Sequence, residues 1–102
     1  MLSILTVLSI VFTSPNRFAH YKVFVTENKY EADIWVYPTQ NKAEAQRNEC
    51  FWYDSDFRST ANFSITLVEV KSQADLIVWY TDNKSQAQWR NRKHKLFRRL
   101  VK

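Results

Sequence analysis

Apolar and polar positions alternate over five short stretches of this chain, and each stretch closes on the same polar pattern. The clearest copy runs Leu-Ile-Val-Trp-Tyr-Thr-Asp-Asn-Lys-Ser-Gln-Ala-Gln from Leu76 to Gln88. Aligned on its alanine, Ala87, the pattern recurs before Ala74, Ala61, Ala45 and Ala32, with spacings of 13, 16, 13 and 13 residues counted from Ala32. Eleven, nine and seven residues before each alanine stand Tyr21, Val23, Val25; Ile34, Val36, Pro38; Cys50, Trp52, Asp54; Phe63, Ile65, Leu67; and Leu76, Val78, Tyr80. Positions two apart share one side of an extended chain, so each stretch predicts a short strand with one mostly apolar face. In the second and fifth copies the opposite face is also apolar, through Trp35 and Tyr37 and through Ile77 and Trp79, which predicts strands covered on both sides.

A 13-residue period holds a strand and a turn but no helix of ordinary length. The Lys-Ser-Gln-Ala segments therefore read as single helical or β-turns, where Ser and Asn bond the backbone locally. Three residues before each alanine there is a base (Lys29, Lys42, Arg58, Lys71, Lys84), and five before it an acid or its amide (Glu27, Gln40, Asp56, Glu69, Asp82). These predict a charged rim of neutralised pairs, worth about 0–1 kcal/mol each when exposed. The extra residues of the third copy fall in Arg47-Asn48-Glu49 and read as a longer connection.

The Ser-Gln-Ala-Asp-Leu-Ile-Val junction at Ser72 to Val78, Asn-Lys-Ser-Gln-Ala at Asn83 to Ala87, and Trp89-Arg90-Asn91 followed by Lys93 and His94 resemble the small bacterial and phage septoil-knot domains. The resemblance spans Tyr21 to His94, with Gln88 where the family has Gly and with Tyr30, Ala43 and Thr60 in place of motif residues. It implies one compact domain threaded into a seven-crossing knot, monomeric, with Ala32, Ala45, Ala61, Ala74, Ala87, Trp89 and Asn91 as its structural signature. The resemblance carries over no established biochemical activity and leaves function open. The resulting fold class is mainly β with short helical turns: five strand repeats in a knotted domain over 21–94, a loosely packed apolar leader over 1–20, and a basic tail over 95–102.

Among 102 residues there is no glycine, so any position needing positive φ must use Asn, and Asn28, Asn41 and Asn83 occupy one equivalent place in three repeats. The single cysteine, Cys50, lies in the core-facing register and has no neighbour in the sequence that would activate it. One thiol suits a reducing compartment, and the expected location is cytoplasmic. The apolar run Met1 to Thr13 leaves open a secreted or membrane-associated alternative, as a signal or an interfacial anchor; it is too short to span a bilayer as a helix. An extra strand or a loose leader is the other reading of that run.

From Arg90 to Lys102 there are seven bases and no acid, and the rest of the chain has eight bases against ten acids, so the net charge of +5 belongs to the tail. Leu96, Phe97, Leu100 and Val101 fall at helical spacing, predicting a basic amphipathic helix. Such a helix can dock on the domain's own core, contact nucleic-acid phosphates or lie on an anionic membrane. The candidate anion-binding residues are Arg90, Arg92, Lys93, Lys95, Arg98, Arg99 and Lys102, with Trp35, Tyr53 and Trp79 as possible stacking rings.

Without glycine there is no phosphate-binding loop, dinucleotide fingerprint or nucleophile elbow, and His20 and His94 are 74 positions apart. His20 stands alone and reads as structural. Carboxylates can pair for catalysis among Glu27, Asp56, Glu69 and Asp82 only if the repeats stack them, and each has a base close by. The expectation is a non-enzymatic domain without metal or cofactor that resists unfolding and acts through a macromolecular partner. A protein, nucleic acid, or a membrane reached through the N-terminus are the partners considered.

Overall fold

The computed structural model describes residues 10–14 and 19–100, with side chains for all of them except Arg58, Arg98 and Arg99. The five alternating stretches form β2 (Tyr21–Val25), β3 (Ile34–Thr39), β4 (Phe51–Asp54), β5 (Phe63–Leu67) and β6 (Leu76–Tyr80). Two further strands flank them, β1 (Ile10–Thr13) and β7 (Gln88–Trp89), together with the short helices α1 (Lys42–Ala45) and α2 (Lys95–Leu100). The connections contain single 3-10 turns at Lys29–Glu31, Arg58–Thr60, Lys71–Gln73 and Lys84–Gln86.

Six strands close into a barrel in the order β1, β5, β2, β6, β3, β4 and back to β1, and all six pairings are parallel. Along β3, β7 pairs antiparallel at Ile34 and Trp35, and β4 pairs from Tyr37 to Thr39. The stagger is uniform. The third inward residue of each strand lies opposite the second inward residue of the next: Thr13 with Ile65, Leu67 with Val23, Val25 with Val78, Tyr80 with Val36, Pro38 with Trp52 and Asp54 with Val11. The interior is filled by Val11, Val23, Ile34, Val36, Cys50, Trp52, Phe63, Ile65, Leu76 and Val78.

Two expected boundaries are corrected. The leader is not loose where it is described: Ile10 and Val11 are each 3 % exposed, and β1 fills the gap that would otherwise leave open edges on β4 and β5. Met1 to Ser9 lie outside the described residues. The tail does not end the domain either, because Leu96 and Leu100 belong to the same buried cluster as the barrel interior, with Phe97 packed against it. Val101 and Lys102 lie outside the described residues.

A third correction concerns asparagine. Asn28, Asn41 and Asn83 have φ of −100°, −108° and −115°, and no described residue has positive φ. Their work is capping: each side-chain oxygen accepts from backbone N–H groups of the following turn, at Tyr30, at Ala43 and Glu44, and at Ser85. The absence of glycine is accommodated because no described residue of the connections enters the left-handed region.

Each of these turns hangs on a buried hydroxyl six residues before its alanine. Thr26, Thr39, Ser55 and Thr81 accept from the N–H two residues on, at 3.0 Å from Asn28, Asn41 and Asn83 and 3.2 Å from Phe57. The same hydroxyls bond the side chain just before the alanine: Glu31, Glu44 at 2.7 Å, Thr60 at 2.6 Å and Gln86 at 2.8 Å. The fourth copy carries Val68 instead, and its turn at Lys71 has no side-chain cap. Thr81 is 3 % exposed, so Thr81→Val strands the Asn83 N–H and the Gln86 oxygen and should lower unfolding free energy by about 1–3 kcal/mol. Equilibrium denaturation measures this; a loss below about 0.5 kcal/mol would mean that solvent replaces both bonds.

Candidate functional site

Because the six strands run the same way, the barrel has two chemically distinct ends. At the amino ends of the strands, α2 closes the barrel: Leu96 lines a recess with Tyr21 and Asp75, and Phe97 lines another with Cys50 and Trp89. Phe97 meets Trp89 edge-on, with ring centres 5.4 Å apart.

The signature residues are positioned by Asp33. Its carbonyl accepts the Arg90 and Asn91 N–H groups at 2.8 and 2.9 Å, its Oδ1 accepts Asn91 Nδ2 at 3.1 Å, and its Oδ2 accepts the Ile77 N–H at 2.9 Å. His94 Nε2 stands 3.7 Å from the same Oδ2, while its Nδ1 accepts the Leu96 N–H at 3.0 Å at the start of α2. Trp89 is buried, and its Nε1–H is the one fully buried side-chain donor without a hydrogen-bond partner among the described residues. Trp89, Asn91 and His94 thus lock the chain end. Of the anchoring alanines, Ala32 and Ala45 are buried and Ala61, Ala74 and Ala87 half-buried.

His20 proves to be a junction residue of the same kind. It directly precedes β2, as Asp33, Asn62 and Asp75 precede β3, β5 and β6. Asn62 and Asp75 accept the N–H groups of Ile10 and Lys22 at 2.9 and 2.8 Å, and His20 Nδ1 accepts that of Ser64 at 3.0 Å. Sequence reasoning missed this because imidazole and carboxylate look unrelated, although the 13-residue spacing from His20 to Asp33 was there to find.

Around this closed end Arg90, Arg92, Lys93 and Lys95 are all exposed. Arg92, Lys93, His94 and Lys95 line an open recess of about 550 Å³, and Arg47 and Arg92 flank a second of about 390 Å³ that also contains Glu49. The apolar edge of α2 faces the barrel core, so it is not presented to a membrane surface. No described helix is long and apolar enough to cross a membrane. The side chains of Arg98 and Arg99, and Lys102, lie outside the described residues.

The expected stacking rings are mostly occupied. Trp35 is 7 % exposed, donates its Nε1–H to the Lys29 carbonyl at 2.7 Å and meets Trp79 edge-on at 5.3 Å. Lys29 Nζ lies 5.2 and 5.4 Å from the Trp35 and Trp79 ring centres, and the Arg90 guanidinium 4.6 Å from Trp35. Trp79 and Tyr53 remain half-buried. The rim of pairs within each repeat is also corrected: Lys71 bonds Glu31 at 2.8 Å and Lys84 bonds Glu44, each across to a turn 40 residues away. These lysines, followed by the Thr26 and Thr39 hydroxyls, hold the Glu31 and Glu44 carboxyls below the usual range.

At the carboxyl ends the described residues leave the barrel open. Its mouth is ringed by the third inward residues Thr13, Val25, Pro38, Asp54, Leu67 and Tyr80, all exposed. A cavity of about 170 Å³ opens there, lined by Val11, Thr13, Pro38, Trp52, Asp54, Ile65 and Tyr80. Thr13 donates to Asp54 at 3.3 Å. Although 37 % of Tyr80 is exposed, protein around its hydroxyl, and secondly Asp54, push the phenol up to about 12, so it stays neutral at physiological pH. Glu27, Asp56, Glu69 and Asp82 each lie two residues past a strand end, so topology brings them to this one rim.

Among the described residues no three of His, Cys, Asp and Glu come together as a metal site. No curated protein and no solved structure matches the chain. The family model for the 7(1) septoil knot domain matches residues 6–90, and with most of its length so matched the chain belongs to that family.

Proposed function

We propose that the chain is a non-enzymatic, knotted binding module whose winding makes unfolding slow. The observation that supports this is the strand order. From β1 to β2 to β3 the chain steps two places round the barrel each time; β4 follows β3 into the adjacent place, and β5 and β6 then fill the gaps left on the first round. Two interleaved rounds cannot separate by peeling off an edge, because a closed ring has none. A terminus must be withdrawn through the windings, which makes stability largely kinetic.

Cys50 reports on this directly. It is 3 % exposed, and burial followed by the Glu49 charge pushes its thiol up to about 12, so the native protein should resist thiol reagents. Diluted into strong denaturant, the protein should lose its tryptophan signal over hours, with Cys50 labelling following the same course. Loss of both within seconds would sink the proposal.

A second reading, nucleic-acid binding at the closed end, is favoured by the exposure of Arg90, Arg92, Lys93 and Lys95 beside open recesses. Truncating the tail cannot test it, because that removes the buried Leu96 and Leu100. Replacing Arg90, Arg92, Lys93 and Lys95 together with Gln leaves those anchors intact. For the full chain on duplex DNA, four engaged bases should give a slope of log affinity against log salt of about −3.6. The quadruple variant should flatten it; an unchanged slope, or no binding by the parent, removes this reading.

A further inference from the structure

We propose that the open mouth of the barrel binds a primary ammonium group on a short aliphatic stem, seated between Trp52 and Tyr80 and paired with Asp54. This site lies at the opposite end of the barrel from the basic face and shares no residue with it.

Three observations meet at one place. The first is shape: the cavity of about 170 Å³ has Val11, Trp52 and Ile65 below and Thr13, Pro38, Asp54 and Tyr80 round its rim at the carboxyl ends of the strands. With a water's share of liquid volume near 30 Å³, it has room for roughly five or six heavy atoms, a head group and its stem. The second is wall chemistry. Trp52 and Tyr80 offer π surface, Pro38 an apolar contact for methylenes, and a neutral phenol supplies an oxygen that can accept an N–H.

The third is charge. Among the described residues, Asp54 is the one carboxylate in the lining, no cation lines the cavity, and no ion pair to Asp54 exists. Among the described residues its carboxylate takes one side-chain hydrogen bond, the long contact from Thr13 at 3.3 Å. Glu27, Asp56, Glu69 and Asp82 stand in the turns at the same end, and their field adds to that of Asp54. Three bases of those turns are engaged elsewhere: Lys29 against Trp35 and Trp79, Lys71 with Glu31, Lys84 with Glu44. A cation on a narrow stem satisfies the carboxylate and the rings at once, whereas an anion meets repulsion and a neutral alcohol leaves the carboxylate unpaired.

The test is a titration of the isotope-labelled full chain with n-butylammonium chloride at fixed ionic strength, followed by amide NMR, with n-butanol as the neutral control. Saturable shifts centred on Thr13, Asp54 and Tyr80, with a dissociation constant on the order of 1 mM for so small a ligand, are expected. Butanol should bind at least about tenfold more weakly, and Asp54→Asn, a substitution at an exposed position, should weaken the amine by a similar factor. Acetyl-lysine-N-methylamide in place of butylammonium distinguishes a peptide side chain from a free amine as the source of the group. Equal binding of butanol, unchanged affinity in Asp54→Asn, shifts confined to Glu27, Glu69 and Asp82, or no saturation by about 100 mM would each overturn the site.

Discussion

Closure of six parallel strands into a ring is the constraint on which everything else in this protein rests. A parallel strand pairs slightly less well than an antiparallel one, and an open parallel sheet of five-residue strands would have two unprotected edges. Joining β4 to β1 removes both. Closure works only because each strand is displaced by the same two residues relative to its neighbour, so the third inward side chain of one strand sits beside the second of the next all the way round. That offset fills the interior in a continuous spiral, and it leaves one residue per strand projecting at the carboxyl end, where the mouth forms.

Most parallel barrels have a helix behind every strand, and here a single helical turn does that work. Strands of about five residues span only about 17 Å, and the eight residues from Thr26 to Asp33 reach back over that distance without a helix. What holds so short a return in shape is polar: a buried hydroxyl in four of the five connections, an Asn cap in three, and Asp33, Asn62 or Asp75 at the junction with the next strand in three. Four of the five recurring turns supply with hydrogen bonds what helix packing supplies elsewhere. Where the hydroxyl and the cap are missing, at Val68 and Val70, backbone bonds, the Asp75 junction and the Lys71–Glu31 pair carry the turn.

Parallel direction also explains why the molecule is chemically polar. The connections between parallel strands start at the mouth and end at the other pole, so a residue type repeated at one place in the period is delivered to one end up to five times over. The acids past the strand ends gather round the mouth, and the tail's bases surround the closed end. Almost every ring contact joins segments far apart in sequence, β3 with β4 being the one consecutive pair. Such topology forms slowly, and, with the proposed knot, it comes apart slowly as well.

The sequence by itself determined the local design. Period-two alternation marked β2 to β6 and the inward residues of each, and the polar run after them marked the turns, because both depend on neighbours within a few residues. Helical spacing likewise marked the buried edge of α2 through Leu96 and Leu100. The tertiary structure alone decided what depends on partners far along the chain. β1 is a strand because β4 and β5, some forty and fifty residues on, need it; on its own it is merely apolar. Lys71 and Lys84 find Glu31 and Glu44 because interleaving sets those turns side by side, not because of any spacing within a repeat. Asn28, Asn41 and Asn83 are caps and not left-handed residues because the hydroxyls two positions earlier fix the turns first. The mouth was not legible at all: Thr13, Pro38, Trp52, Asp54 and Tyr80 come from four separate stretches, and only closure of the ring makes them one cavity.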